Sequence, residues 1–110
     1  MKKHALLLAL VMAACASVQL TPQQNAERSY YTALGSYTEA VQQVVLWANL
    51  GQIDAEFAER FEKLRVPARK ALNIMKAELA AGNYTAVKTA RKVVDALLLE
   101  YAAQLKEQEA

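Results

Sequence analysis

Residues 51–55 read "GQIDA", and residues 82–86 repeat the same pattern as "GNYTA". In each, a glycine that can close one helix is followed by a polar residue, an apolar residue and an Asp or Thr that can cap the next helix. Both segments are therefore predicted to be tight turns between helices. Short turns force consecutive helices to run antiparallel. The pattern predicts an all-α fold, an up-down-up three-helix bundle over residues 21–110.

The segments around these turns carry apolar residues at the 3- and 4-residue steps of helices that pack lengthwise. The first helix is predicted to begin after Thr21, because Thr21-Pro22-Gln23-Gln24 combines an N-cap, a proline at the first helical position and the glutamine of a capping box. The stripes predicted to form the core are Tyr30, Leu34, Tyr37, Val41, Val44 and Ala48 in the first helix, Phe57, Phe61, Leu64, Ala68, Ala71, Met75 and Leu79 in the second, and Val87, Ala90, Val94, Leu97 and Tyr101, with Leu98 and Leu105 beside them, in the third.

Three residues stand out against these stripes. Pro67 costs about 3 kcal/mol inside a regular helix, but the stripe keeps its phase across it, so a kinked, continuous second helix is predicted. Gly35 weakens the first helix by about 1 kcal/mol relative to Ala, and a close approach of two helices is the predicted reason. Trp47 lies one position off its stripe and is predicted to seal the end of the core, with partner binding as the alternative.

The chain begins with "MKKHALLLALVMAACAS". Lys2, Lys3 and His4 form a short positive region, and residues 5–13 form an apolar run about half as long as a membrane-spanning helix. This arrangement is typical of a signal peptide. Met12, Ala13 and Ala14 lead into Cys15 and resemble the lipobox of bacterial lipoproteins, although Met12 stands where Leu is usual.

The lipobox resemblance implies that residues 1–14 are a signal peptide cleaved after Ala14 and that residues 15–20 are a lipidated cysteine and a linker. The thiol of Cys15 would receive diacylglycerol, and its freed amine a further acyl chain such as palmitate. Two or three acyl chains bind a membrane durably. Ala16 stands where an inner-membrane retention signal would have Asp, which implies a periplasm-facing anchor in the outer membrane.

The alternative is an ordinary secretory peptide cleaved after Ala16, because Ala14-Cys15-Ala16 also fits the A-x-A pattern. The cysteine count favours lipidation. Cys15 is the only cysteine, so an exported, unmodified chain would carry a thiol without a partner for an internal disulfide.

Composition excludes several functions. Cleavage removes Lys2 and Lys3 from the 13 basic residues and leaves 11, equal to the 11 acidic residues, and this neutral balance argues against nucleic-acid binding. Cleavage also removes His4, the only histidine. Zinc sites and His-dependent catalytic triads are therefore not expected. No catalytic, cofactor-binding or metal-binding residue is predicted. The predicted sites are lipidation at Cys15 and a signal-peptide cleavage site formed by Met12, Ala13 and Ala14, with the cut after Ala14.

The anchor would place the turn at Gly82 near the membrane and the turn at Gly51 far from it. Lys88, Arg91 and Lys92 lie near the turn at Gly82, in the first turns of the third predicted helix. The positive end of a helix dipole disfavours basic residues there. They are predicted to contact anionic lipid headgroups, which attract basic residues near a membrane surface.

The predicted function is a non-catalytic, lipid-anchored interaction module that binds an envelope or phage protein. The signal, the chain length and the all-helical remainder resemble those of small lipoproteins carried by tailed phages and prophages. Some of those lipoproteins are similar to superinfection-exclusion or lysis-accessory proteins. The alternative is an enzyme acting on peptidoglycan, with Glu78 or Glu100 as a general acid. That chemistry requires burial to raise the pKa of the carboxyl group.

Overall fold

The computed structural model describes residues 19–109, which form three α-helices. Helix α1 spans Pro22–Asn49, α2 spans Ala55–Ala81 and α3 spans Tyr84–Glu109. Each helix packs against both of the others, so the predicted three-helix bundle is confirmed. The predicted signal peptide, its cleavage site at Met12, Ala13 and Ala14, and Cys15 lie outside the described residues.

The start of α1 and both turns have the local geometry that the sequence predicts. Thr21 Oγ1 accepts a hydrogen bond from the Gln24 backbone N–H at 3.1 Å, and Gln24 Oε1 accepts one from the Thr21 N–H at 2.9 Å. Gly51 and Gly82 adopt positive φ angles of 68° and 78°. The residue after each glycine donates its N–H to a carbonyl five residues back, which closes the preceding helix.

The two helices that follow the turns begin differently. Asp54 caps α2, because its side chain accepts a hydrogen bond from the Phe57 N–H at 2.8 Å. The prediction that Thr85 caps α3 is wrong. The Val87 N–H already donates to the Asn83 carbonyl at 3.2 Å, so the helix begins at Tyr84 and Thr85 lies in its first turn.

Helix α2 is continuous through Pro67 from Ala55 to Ala81, as predicted, and the kink at Pro67 stays a prediction. The explanation predicted for Gly35 is wrong. A Cβ atom added at Gly35 would meet nothing within 4 Å, and the residue is exposed on α1. Gly35 therefore does not mediate a close approach between helices.

The core consists of two clusters, and the first lies toward the turn at Gly82. We call it the alanine-rich cluster. Its buried members are Ala26, Ala33, Tyr37, Ala68, Ala71, Leu72, Met75, Val87, Ala90 and Val94. Small side chains from all three helices let the helix backbones approach one another here.

The second cluster lies toward the turn at Gly51 and is called the aromatic cluster below. Its buried members are Ala40, Val44, Phe57, Phe61 and Tyr101. The Phe61 and Tyr101 rings meet edge to face with their centroids 5.4 Å apart. The Tyr101 hydroxyl donates to Gln43 Oε1 at 2.9 Å, and burial raises the pKa of Tyr101.

The stripes predicted for α2 and α3 are confirmed, because every member is buried or partly buried. The stripe predicted for α1 is partly wrong. Ala48 is exposed, whereas Ala26, Ala33 and Ala40 are buried although they lie outside the predicted stripe. Leu72 is a further buried residue outside the predicted stripe of α2.

Candidate binding surfaces

A groove runs between α2 and α3 on the outside of the bundle, and we call it the α2–α3 groove. It has a volume of about 550 Å³. The residues that line it are Pro67, Lys70, Ala71, Ile74, Glu78, Ala86, Thr89, Ala90 and Val93. Ile74 is 46% exposed and Val93 is 45% exposed, so two large apolar side chains face solvent from adjacent helices. Two exposed apolar side chains on adjacent helices make this groove a candidate binding surface.

Two opposite charges flank Ile74 on the α2 side of the groove. Lys70 lies four residues before it and Glu78 four residues after it. Glu78 accepts a hydrogen bond from the Asn83 side-chain amide at 2.8 Å. Lys70 is exposed and takes part in none of the salt bridges among residues 19–109.

A second apolar surface lies at the C-terminal end of α1, and we call it the Trp47 patch. It consists of Leu46, Trp47 and Leu50. Leu46 is 55% exposed and Leu50 is 60% exposed, while Trp47 is partly buried. Trp47 lines a depression of about 180 Å³ together with Gln52, Ile53, Phe57, Leu105 and Gln108. Trp47 therefore closes this end of the core only in part.

The depression beside Trp47 is smaller than the roughly 300 Å³ or more of a usual ligand pocket. Its size suits a single side chain of a partner protein. Aromatic residues beside such depressions often contribute much of the binding free energy at protein interfaces.

Three ion pairs link charged residues in the described part of the chain. Arg60 Nη1 and Glu107 Oε2 lie 3.3 Å apart and connect α2 with α3. Arg65 Nε and Glu62 Oε1 lie 2.7 Å apart within α2. The hydrogen bond from Arg65 lowers the pKa of Glu62, and the same pairing raises the pKa of Arg65.

The third pair involves Arg91, one of the residues predicted to contact lipid. Arg91 Nε donates to Asp95 Oδ1 at 2.7 Å, and Arg91 Nη1 donates to the carbonyl and hydroxyl oxygens of Ser29 at 2.8 and 3.1 Å. Arg91 thus connects α3 to α1. Lys88 and Lys92 are exposed, and a contact of Lys88, Arg91 and Lys92 with lipid headgroups stays a prediction.

The carboxylates considered for catalysis are not buried. Glu100 is exposed, and Glu78 is partly exposed and hydrogen-bonded to Asn83. Neither carboxylate therefore has the buried position that the enzyme alternative requires. Residues 19–109 also contain no cluster of three or more His, Cys, Asp or Glu side chains suited to a metal ion.

Sequence reasoning did not identify the α2–α3 groove. Ile74 and Val93 directly precede Met75 and Val94, which belong to the predicted core stripes. The available signal was a large apolar residue beside a stripe. That signal becomes a surface only when two helices bring such residues together.

No protein-family model matches the chain, and no curated protein or solved structure is significantly similar to it. Within the described helices, none combines the length and the apolar character needed to cross a membrane.

Proposed function

We propose that this protein is a non-catalytic interaction module of the bacterial cell envelope, held on the periplasmic face of the outer membrane by acylated Cys15. The Trp47 patch binds a partner protein of the envelope or of a phage. Secretion into the periplasm without lipid is the alternative fate of the chain.

The position of the Trp47 patch supports this proposal. Helix α1 begins at Pro22, seven residues after Cys15, and the patch lies at the opposite end of the same helix. A helix of this length separates its ends by about 40 Å. An anchor at Cys15 would therefore leave the patch free to face away from the membrane.

The distribution of polar groups supports a binding function over catalysis. Apart from Gln104, the buried side chains among residues 19–109 are apolar or aromatic. A partner would therefore contact the outer surface of the bundle, where Leu46 and Leu50 are exposed.

The resemblance to phage-borne lipoproteins suggests two biological settings. A superinfection-exclusion protein would contact a phage protein or its envelope receptor. A lysis-accessory protein would be encoded beside a holin and an endolysin, so the neighbouring genes distinguish the two settings.

The anchor is tested by mass spectrometry of the protein recovered from cell envelopes. The expected product begins at Cys15 and carries the mass of diacylglycerol and a further acyl chain. A free thiol at Cys15, or an amino terminus at Ser17, contradicts lipidation. Cys15→Ala is expected to release the protein from the membrane fraction.

The binding surface is tested by photo-crosslinking in cells that produce the full chain. A photoreactive amino acid at Gln52, which is exposed and lines the depression beside Trp47, is expected to form an adduct with one partner protein. Leu50→Glu should reduce this adduct about tenfold, since it places a charge in an apolar contact.

The matched control is Leu99→Glu, which adds the same charge at an exposed leucine on α3 and should leave the adduct unchanged. The photoreactive amino acid at Thr38, an exposed residue in the middle of α1, should give no adduct. Equal adducts from Thr38 and Gln52, or an adduct insensitive to Leu50→Glu, would contradict the proposed surface.

A further inference from the structure

We propose that the α2–α3 groove binds a second copy of this chain. The two copies pack around a two-fold axis beside Ile74, with their α2 helices antiparallel. Lys70 of each copy then lies against Glu78 of the other. This proposal is independent of the Trp47 patch and of the anchor at Cys15.

The first support is the position of the two apolar side chains. Ile74 and Val93 both line the groove and are exposed to nearly the same degree, 46% and 45%. The Arg60–Glu107 salt bridge joins α2 to α3, and Ile74 and Val93 lie equally far along their helices from it. Because α2 and α3 are antiparallel, Ile74 and Val93 lie at the same height on the bundle.

Ile74 and Val93 together form an apolar surface, and Lys70 and Glu78 lie at its two ends on α2. Ala71, Ala86 and Ala90 also line the groove and add to its apolar surface. Small residues of this kind leave room for a helix of another molecule to approach.

The second support is the arrangement of charge on α2. Lys70, Ile74 and Glu78 are spaced four residues apart and share one ridge of the helix. A two-fold axis beside Ile74 reverses the direction of the ridge in the second copy. Position 70 of one copy then faces position 78 of the other, so a single two-fold contact forms two opposite-charge pairs.

The charges also select the orientation of the two copies. In a parallel arrangement, Lys70 would face Lys70 and Glu78 would face Glu78. Like charges placed opposite each other oppose association. The ridge is therefore complementary to itself in the antiparallel orientation only.

The test is disulfide crosslinking of the full chain in cells that produce it. Ile74→Cys places a thiol beside the proposed axis, where the Cα atoms of two copies can come within the roughly 7 Å that a disulfide allows. Copper phenanthroline supplies the oxidant. The expected product on a non-reducing gel is a homodimer with twice the 12.1 kDa mass of the chain, or correspondingly less if the signal peptide is removed.

Background crosslinking is set by two matched chains. The parent chain, with Cys15 alone, reports any disulfide formed by that thiol. Thr38→Cys places a thiol at an exposed position on α1, outside the groove. The Ile74→Cys homodimer should exceed both backgrounds about tenfold. A yield no higher than these backgrounds overturns the proposal.

Charge exchange tests the predicted pairing. In the Ile74→Cys chain, Lys70→Glu should lower the homodimer yield about tenfold, because each attractive pair becomes repulsive. The exchange Lys70→Glu with Glu78→Lys should restore the yield to within about twofold, since the pairs form again with reversed polarity. Lys76→Glu changes the same net charge on an exposed residue of α2 outside the groove and should have no effect.

Three further results would overturn the proposal. The homodimer yield could stay unchanged in Lys70→Glu, or the double exchange could fail to restore it. Ile74→Cys could also crosslink to a different protein in place of a second copy. That last result would leave the interaction module proposed above intact, because the Trp47 patch is tested separately from Gln52.

Discussion

The two halves of this bundle are packed by different kinds of side chain. Toward the turn at Gly82, the alanine-rich cluster places five buried alanines and Tyr37 among medium-sized aliphatic residues. Toward the turn at Gly51, the aromatic cluster is built on two phenylalanines and Tyr101. Small residues permit close backbone approach, whereas large rings fill a wider space between helices.

The two halves also differ in how completely their buried polar side chains are hydrogen-bonded. The buried side-chain nitrogen and oxygen atoms without a hydrogen-bond partner among residues 19–109 are Arg60 Nε and Gln104 Oε1, and both lie toward the turn at Gly51. The depression beside Trp47 lies at that end as well. Arg91, in contrast, bonds to Asp95 and Ser29 at the other end. The half that carries the Trp47 patch is thus the one whose buried polar side chains are less completely hydrogen-bonded.

The largest expected effect comes from opening a cavity in the aromatic cluster. Phe57 is completely buried, so Phe57→Ala should lower the free energy of unfolding by about 3–5 kcal/mol. Urea denaturation followed by circular dichroism measures this difference. The matched control is Leu99→Ala at an exposed position, for which a change within about 0.5 kcal/mol is expected. Equal losses in the two variants would show that Phe57 does not support the core.

The alanine-rich cluster should instead be sensitive to added volume. Ala33 is buried in this cluster and borders none of the surface grooves, so Ala33→Leu should lower the free energy of unfolding by about 1–3 kcal/mol through overpacking, as measured by urea denaturation. Ala77→Leu makes the same change at an exposed position of α2 and should be nearly neutral. If Ala33→Leu stabilised the protein, the alanine-rich half would have to contain unfilled space, and the contrast between the clusters would fail.

Removal of a buried polar atom that has no hydrogen-bond partner should stabilise the half toward the turn at Gly51. Gln104 is 8% exposed, and its Oε1 has no partner among residues 19–109. Gln104→Met keeps the shape and removes this group, so the free energy of unfolding should rise by about 1 kcal/mol. Thermal and urea denaturation measure the change, with Gln108→Met at an exposed position as the control. A destabilised Gln104→Met would mean that the amide makes hydrogen bonds in solution that offset its burial.

The bounds of α1 and α2 could be predicted from the sequence because caps act locally. Thr21 with Gln24, Gly51, Asp54 and Gly82 each satisfy backbone groups within a few residues of themselves, so their roles do not depend on the rest of the fold. The aromatic and aliphatic stripes of α2 and α3 could also be predicted, because large apolar side chains have only one favourable face.

Alanine positions and surfaces between helices could not be predicted in this way. Ala33 is buried and Ala48 is exposed, yet a small side chain is compatible with either environment and gives no signal of its own. The α2–α3 groove depends on the relative rotation of two helices, which sets the exposure of Ile74 and Val93 together. The Trp47 depression likewise requires Leu105 of α3 to approach the end of α1.

The smallest expected effect comes from a residue outside both clusters. Gly35 lies in the interior of α1 and faces solvent, with no side chain beyond its two chain neighbours and no neighbouring helix within 4 Å of the position that an added Cβ would take. Gly35→Ala should therefore raise the free energy of unfolding by about 0.5–1 kcal/mol, because alanine loses less backbone entropy in a helix.

Gly82→Ala makes the same substitution where φ is 78°, a conformation that disfavours an L side chain by about 1–2 kcal/mol, and should destabilise the protein. Urea denaturation of both variants compares the two signs directly. A destabilised Gly35→Ala would restore the close-approach role that the exposed position of Gly35 contradicts. Opposite signs at Gly35 and Gly82 would show that a glycine's effect here depends on its backbone angle and not on the cluster beside it.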